Sequence, residues 1–117
     1  DAAELNYSEA LRIAKKVNYR DGIANFTGNL ALLSLDRQDW PAAEALSREA
    51  LNLSEATGRI ELIGSYCQRL AKALARQGRP KEGLPYARRA VEIYTSLRVP
   101  DNIKIAKATL KECEAKE

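Results

Sequence analysis

The sequence contains no histidine, and this absence weighs against catalysis. Histidine is the commonest general base and metal ligand near neutral pH. The sequence also lacks a G-x-G-x-x-G segment or a Walker-type loop that could cradle phosphate. We therefore predict that this segment is not an enzyme and needs neither a cofactor nor a metal. A catalytic domain elsewhere in a longer parent protein stays open.

Long apolar runs are also absent. No stretch approaches the ~20 apolar residues that a membrane-spanning helix needs, and no signal peptide opens the chain. We therefore expect a cytoplasmic protein without a membrane partner. Cysteine is scarce: Cys67 and Cys113 belong to no close-spaced metal or redox motif and are predicted to be buried thiols outside any disulfide.

The proportions of hydrophobic and charged residues in the sequence are those of a globular domain. Its 117 residues are 45% hydrophobic and 30% charged, which predicts one domain with a modest core. The formal charge of +3 is too small to argue for nucleic acid by itself.

The strongest signal is an internal repeat with a period of 40 residues, which runs through two full offsets without an insertion. Apolar, small and acidic residues recur at matching positions. The matching sets include Ala10, Ala50 and Ala90; Ile13, Leu53 and Ile93; Ile23, Ile63 and Ile103; Leu30, Leu70 and Leu110; and Asp21, Glu61 and Asp101.

Within each period the apolar spacing is helical. Ala43, Leu46, Ala50 and Leu53 follow one another in steps of three and four, which predicts an amphipathic helix. Breakers separate such segments at 20–22, 38–39, 57–58, 77–80 and 99–101. The sequence therefore predicts six helices, near residues 3–19, 22–37, 41–57, 60–77, 81–98 and 101–115.

The ends of these helices carry further signals. The acidic residue at 21, 61 and 101 suits a helix N-terminus. Pro41 and Pro80 fit a first helical turn, where a missing N–H costs little. Pro85 lies deeper, so that helix is expected to start late or to kink.

Two copies of one pattern resemble a tetratricopeptide repeat. The first runs through Asn29-Leu30-Ala31, Gln38-Asp39-Trp40, Ala43 and Ala50-Leu51-x-Leu53. The second runs through Arg69-Leu70-Ala71, Gln77-Gly78-Arg79, Gly83 and Ala90-Val91-x-Ile93, with Pro80 replacing the aromatic residue of Trp40. The period is longer than is usual for that family and is similar to the long-helix variant of kinesin light chains and of the sensor arrays of bacterial signalling ATPases.

The resemblance implies an all-α fold, a right-handed superhelical stack of antiparallel helix pairs. Residues 1–20 would be the second helix of a truncated repeat, 21–58 and 59–98 two repeats, and 99–117 a capping helix. Ala3, Tyr7, Ala10 and Ala14 would then form an uncovered stripe, which leaves self-association open. Lys107, Lys111 and Glu114 would give the last helix one face in water.

The resemblance also places a concave groove along the first helix of each pair. Its ligand-binding positions map onto the second and fourth predicted helices, with Gly28 and Leu35 beside them. These candidate site residues are Asn25, Asn29, Leu32, Asp36, Ser65, Gln68, Arg69, Lys72 and Arg76.

Three cations in this set suggest that the ligand is anionic. Arg69, Lys72 and Arg76 are spaced so that they share one helical face, and their mutual repulsion would fall if an anionic group occupied the groove. Arg69 could grip a carboxylate with two hydrogen bonds. An ordinary solvated face is the competing interpretation.

Three functional classes stay open at this point. The favoured one is a protein-interaction module that binds an acidic peptide or partner segment. The second is a C-terminal sensor array that regulates an ATPase or protease effector upstream. Binding of nucleic acid is disfavoured, because no aromatic residues interleave with the cations and no helix has the pattern of a recognition helix.

Overall fold

A computed structural model describes residues 2–115 of the protein. This part of the chain forms six α-helices and contains no β-strand. The helices are α1 (Ala2–Lys16), α2 (Arg20–Asp36), α3 (Trp40–Thr57), α4 (Ile60–Arg76), α5 (Pro80–Leu97) and α6 (Pro100–Ala115). The all-α repeat fold predicted from the sequence is therefore confirmed.

The first five helices end in the same way and at even spacing along the chain. Asn18, Gln38, Gly58, Gly78 and Arg98 all have a positive φ, between 56° and 76°. The residue after each donates its N–H back to the carbonyl five positions earlier, as in Tyr19 to Ala14 at 2.8 Å. This is the Schellman pattern, which satisfies carbonyl groups that the helix end leaves unpaired. Glycine adopts this backbone without a steric penalty at 58 and 78.

The first turn differs from its prediction. The sequence placed the break at 20–22, but Arg20–Gly22 is the first turn of α2. The chain turns earlier because Asn18 takes the left-handed conformation, and a non-glycine residue there was not recognised as a terminator. Of the two outcomes expected for Pro85, a late start is wrong, because α5 begins at Pro80 and continues past Pro85.

The acidic and proline signals at helix starts are confirmed. Asp21, Glu61 and Asp101 lie in the first turns of α2, α4 and α6. Pro41 and Pro80 occupy the first two positions of α3 and α5. Asp39 caps α3, since its Oδ1 accepts the N–H of Ala42 at 3.4 Å.

The six helices form two layers. In the inner layer α2 contacts α4, and α4 contacts α6. In the outer layer, no described Cα atoms of α1, α3 and α5 lie within 8 Å of one another. Long side chains bridge that wider gap, as in the ion pair of Arg89 with Glu55 at 3.5 Å. Because the inner helices are closer together, the stack curves around them and the inner layer lines the concave side.

Small residues allow the close helix approach that the repeat pattern indicated. Ala31, Ala43 and Ala50 are fully buried. Gly83 lies so close to α4 that an added Cβ would be 2.9 Å from the Ala71 carbonyl oxygen. The cysteines were also predicted correctly: Cys67 and Cys113 are buried and form no disulfide, and burial raises the pKa of Cys67 to about 11.

The predicted stripe on the first helix needs a correction. Ala3 is exposed as predicted, but Ala14 is buried and Tyr7 and Ala10 are half-buried, in a helix that packs on α2. Ile13 and Val17 are exposed instead. At the other end, the charged residues predicted to face water do so: Lys107, Lys111 and Glu114 are exposed. No helix between residues 2 and 115 combines the length and the apolar character required to cross a bilayer.

Candidate ligand groove

A groove of about 410 Å³ opens on the concave side. Residues of α2 and α4 form most of it, and residues of α5 and α6 complete it. The lining residues are Leu32, Leu35, Asp36, Ser65, Gln68, Arg69, Lys72, Tyr94, Asn102 and Ile105.

The structure brings together most of the residues predicted to bind a ligand. Six of them line the groove, namely Leu32, Asp36, Ser65, Gln68, Arg69 and Lys72. Three do not: Asn25 is exposed, Asn29 is half-buried, and Arg76 is bound to neighbouring side chains outside the lining.

Arg69 is part of the helix packing as well as of the groove. Its Nη1 donates to the main-chain oxygen of Gly28 on α2 at 3.0 Å, and its guanidinium carbon lies 5.4 Å from the ring centre of Tyr66. Burial lowers the pKa of Arg69, although nearby Tyr66, Tyr94 and Asp36 oppose this change. The predicted role as a carboxylate grip therefore competes with a structural role.

Tyr66 strengthens the same junction. Its hydroxyl donates to the main-chain oxygen of Ala24 at 3.2 Å, and its ring lies against Gly28, where a Cβ would be 2.5 Å from a ring carbon. Two side chains of α4 thus hold two carbonyl groups of α2. This junction fixes the distance between two walls of the groove.

Arg76 is not a third groove cation. Its guanidinium carbon lies 5.3 Å from the ring centre of Trp40, and its Nε pairs with Glu112 on α6. The repulsion expected among three aligned cations is therefore offset at Arg76 by Glu112, and binding of a ligand by Arg69 and Lys72 stays a prediction. Arg76 is held outside the groove lining by its hydrogen bond to Glu112, which is distant in the sequence but adjacent in the fold.

Lys72 differs from both arginines. It lines the groove and is half-buried, and no carboxylate of the described residues lies within ion-pair distance of it. Asp36 lines the same groove without forming an ion pair with a described residue. The groove therefore presents one ammonium group and one carboxylate to a ligand.

Apolar and polar groups alternate along the remaining lining. Leu32 is 41% exposed and Ile105 is 53% exposed, so the groove contains two accessible apolar side chains. The hydroxyl oxygens of Ser65 and Tyr94 are 2.6 Å apart, and the Gln68 amide donates to Thr109 at 2.8 Å. These hydrogen bonds fix the orientation of the polar groups.

Sequence reasoning missed Tyr94, Asn102 and Ile105. The signal for Ile105 was present, because the internal repeat matches it to Ser65 and Asn25, two positions already placed in the groove. Tyr94 is a buried residue of the helix packing. Its hydroxyl lies at the groove, where it forms a hydrogen bond with Ser65 of α4.

A second cleft lies on the outer side between α3 and α5. Its lining residues are Arg48, Glu82, Pro85, Tyr86 and Arg89. The charges here are largely paired within the protein: Arg48 with Glu44 at 3.2 Å and Arg89 with Glu55 at 3.5 Å. Among the described residues, no group of histidine, cysteine or acidic side chains is arranged to hold a metal ion.

Comparison with known proteins agrees with this architecture. A sequence model of the family described as Tetratricopeptide repeat matches residues 24–57 and 64–103, which is more than half of the chain. No curated protein and no solved structure gives a significant match.

Proposed function

The chain belongs to the tetratricopeptide repeat family, whose members generally mediate protein–protein interaction, and from this premise we propose that its concave groove binds a segment of a partner protein. The groove is an opening on the inner layer that contains exposed apolar side chains together with a cation that no described carboxylate pairs.

The observation that carries this proposal is Lys72. Lys72 is a half-buried residue of the groove, and no described carboxylate lies within ion-pair distance of it. A ligand carboxylate placed beside it would gain an ion pair, and in a groove with reduced solvent exposure that interaction is stronger than in bulk water. An acidic residue in the bound segment is therefore favoured.

Leu32 and Ile105 add an apolar requirement. Both are exposed in the same groove, from α2 on one side and α6 on the other. Burial of apolar surface stabilises binding by about 25 cal/mol per Å² before the costs of association are subtracted. The proposed ligand is thus an acidic segment that also carries an apolar side chain.

Asp36 limits the choice of ligand. The lining contains two cations, Arg69 and Lys72, and one carboxylate, that of Asp36. The groove therefore has a small excess of positive charge and is not a strongly basic surface. That excess suits a peptide with a few acidic groups. It suits nucleic acid poorly, because phosphate backbones require several neighbouring cations.

The test is a peptide-array screen with the purified chain and two charge-reversal variants. Lys72→Glu changes the groove, whereas Lys107→Glu changes an exposed lysine of α6 outside the groove lining. We expect acidic peptides to bind the parent and Lys107→Glu alike, and to bind Lys72→Glu at least about tenfold more weakly.

Equal binding by all three proteins would remove the groove proposal. Changing Arg69, Lys72 and Arg76 together to alanine would not give a clear answer, because Arg69 and Arg76 hold helices together. Unfolding midpoints of each variant should accompany the binding data, so that loss of binding is separated from loss of structure.

Control of a fused effector, the second class left open by the sequence, would use the same groove for a segment of its own polypeptide. In that case the parent chain would bind a peptide from the effector, and Lys72→Glu would release effector activity. No feature of the described residues favours this alternative over binding of a separate partner.

A further inference from the structure

Exposed apolar side chains are concentrated at one edge of the helix stack. Each turn from an outer helix to the next inner helix lies at this edge, which we call the entry edge (residues 17–21, 57–61 and 97–101). Of the eight large hydrophobic side chains exposed among the described residues, four belong to it: Val17, Tyr19, Ile60 and Leu97. The opposite edge, formed by the turns at 37–39 and 77–79, has none of the eight. Isolated exposed side chains are ordinary, but four along one edge form a patch.

The three turns of the entry edge lie next to one another. Because the inner helices all run in the same direction, α2, α4 and α6 begin at this edge. The pKa of Arg59 is raised first by Glu61, whose carboxylate accepts a hydrogen bond from Arg59 Nε at 2.9 Å, and Asp21 of the preceding turn acts in the same direction. Adjacent turns are therefore within electrostatic reach of each other.

The entry edge has no excess of either charge. Each turn contributes one arginine and one acidic residue, namely Arg20 with Asp21, Arg59 with Glu61, and Arg98 with Asp101. The middle two form an ion pair with each other. The arginines and aspartates of the first and third turns form no ion pair with a described residue. A neutral edge suits neither an anionic membrane surface nor a phosphate backbone, because both select for an excess of cations.

The order of these groups along the edge is the same in both directions. The first and third turns each combine exposed apolar side chains with an arginine and an aspartate that lack ion-pair partners among the described residues. The middle turn contains Ile60 beside a closed ion pair. A surface that pairs with a copy of itself around a two-fold axis must be its own complement when its order is reversed. The partner that fits this edge best is therefore a second copy of the chain.

We propose that two copies of the chain associate through their entry edges, around a two-fold axis that reverses the order of the turns. Ile60 would then lie at the axis and face Ile60 of the second copy. Val17 of the first turn would face Leu97 of the third turn across the interface. The exposed apolar side chains of the edge would be buried against one another, which is the driving force of the association.

The same axis brings opposite charges together. Arg20 would face Asp101 of the second copy, and Asp21 would face Arg98. Inner helices would meet inner helices, so the two concave grooves would open on the same side of the dimer. The inference does not depend on what the groove binds.

The entry edge is large enough for a specific interface. Helices of 15–18 residues are about 22–27 Å long, which matches the 28 Å dimension of the molecule. The edge therefore spans the other two dimensions, 42 Å and 22 Å. It offers at most roughly 900 Å² to a partner, close to the ~800 Å² per partner of a standard interface.

Sedimentation equilibrium of the purified chain, from about 1 to about 200 μM, tests the proposal. We expect a monomer–dimer equilibrium that Ile60→Glu weakens at least about tenfold, because two carboxylates would meet at the axis. Ile13→Glu is the matched control, since Ile13 is 49% exposed and Ile60 is 46% exposed, but Ile13 lies on α1 outside the entry edge. This control should dimerise like the parent chain.

A charge exchange tests the order of the turns at exposed positions. Arg20→Asp should weaken the dimer about tenfold, because it places a carboxylate against Asp101 of the second copy. Addition of Asp101→Arg should restore the dimerisation constant to within about threefold of the parent value. A contact within one chain does not explain such a rescue, because no Cα atoms of α2 and α6 lie within 8 Å of each other.

Three results would overturn the proposal. A chain that stays monomeric over the whole range would exclude a second copy as the partner of the entry edge. A dimer that Ile13→Glu dissolves and Ile60→Glu leaves intact would assign the association to α1. A dimer that is unchanged by Arg20→Asp, or is not restored by Asp101→Arg, would exclude the reversed order of turns. Thermal unfolding midpoints of all variants separate loss of association from loss of structure, and the charge exchange decides if Ile60→Glu does not fold.

Discussion

Arg69 of α4 donates a 3.0 Å hydrogen bond from its Nη1 to the main-chain oxygen of Gly28 on α2. The same guanidinium lies 5.4 Å from the ring centre of Tyr66. Three positions along α4, Lys72 has no such partner among the described residues. Two cations of one groove thus differ in their contacts: Arg69 joins the two inner helices, and Lys72 lines the groove without such a contact.

This difference predicts unequal losses of stability for the same substitution at the two positions. Arg69→Met keeps an unbranched apolar stem but removes the hydrogen bond and the stacking. We expect it to lower the free energy of unfolding by about 1–2 kcal/mol. Lys72→Met should change that free energy by less than about 0.5 kcal/mol. Urea unfolding followed by circular dichroism compares them, and equal losses would contradict the assignment.

Gly28 and Tyr66 form the tightest approach at the same junction. An added Cβ at Gly28 would be 2.5 Å from a carbon of the Tyr66 ring. We expect Gly28→Ala to destabilise the protein by about 1–3 kcal/mol through overpacking, although alanine is the better helix former by about 1 kcal/mol.

A double-mutant cycle separates those two effects. When Tyr66→Ala has removed the ring, Gly28→Ala should become stabilising by about 1 kcal/mol, because only the helix propensity remains. The sign of the effect of Gly28→Ala therefore reverses between the two backgrounds. A loss of stability in both would show that the ring is not what excludes a side chain at position 28.

The sequence was sufficient to predict the fold because two periodic signals agree. The helical spacing of apolar residues sets the helices, and the internal repeat sets their order. Small residues such as Ala43 and Ala50 showed where helices meet. The prediction missed only local backbone conformations. A residue in the left-handed conformation, such as Asn18, ends a helix as well as glycine does, and the amino-acid sequence gives little indication of it.

The sequence could predict which residues lie at the groove, but not which of them contact a neighbouring helix instead of a ligand. Residues at groove positions of a repeat can be read from the repeat itself, and Ile105 could have been found in this way. Whether an arginine faces a ligand or a neighbouring helix depends on contacts between residues far apart in the chain, such as Arg69 with Gly28 and Arg76 with Glu112. A single sequence does not show which side chains meet over such separations.

Arg76 offers a spectroscopic test of its position. Trp40 is the only tryptophan, so its fluorescence reports on the guanidinium that covers its ring. We expect Arg76→Gln to move the emission to longer wavelength and to cost about 0.5–1.5 kcal/mol, since both contacts are partly exposed. Arg88→Gln, at an exposed arginine of α5, should alter neither quantity. An unchanged emission maximum in Arg76→Gln would contradict the stacking.

Ser47 provides a prediction of increased stability. Its hydroxyl is fully buried and has no hydrogen-bond partner among the described residues. Its repeat equivalent is Ala87, which is also buried, so a methyl group fits the same environment. We expect Ser47→Ala to raise the free energy of unfolding by about 1 kcal/mol, because a buried polar group is no longer left unsatisfied.

Ser96→Ala is the control for that substitution. Ser96 is exposed on α5, so its change to alanine reports helix propensity without burial. The gain from Ser47→Ala should exceed the gain from Ser96→Ala. Equal gains would mean that the Ser47 hydroxyl finds a partner in solution, such as the carbonyl one helical turn earlier.

Glu44 joins α3 to the turn between α4 and α5. Its carboxylate accepts hydrogen bonds from Arg79 at 2.8 Å, Gln77 at 2.9 Å and Arg48 at 3.2 Å. Burial alone would raise the pKa of Glu44, but the hydrogen bonds from Gln77, Arg48 and Arg79 outweigh it and hold the pKa below its ordinary value of 4.5. The charged form is therefore favoured in the folded protein.

A pKa that is lower in the folded than in the unfolded chain makes the stability depend on pH in one direction. The contribution of Glu44 is fully present above about pH 4.5 and is lost as the pH falls through the lower folded-state pKa. Glu44→Gln should therefore destabilise the protein at pH 7 and cost less at pH 3, in urea unfolding at both values. Glu92→Gln, at an exposed glutamate of α5, should have the same small effect at both. A cost of Glu44→Gln that persists undiminished at pH 3 would mean that the amide disturbs packing, and that the charge of Glu44 is not what stabilises this turn.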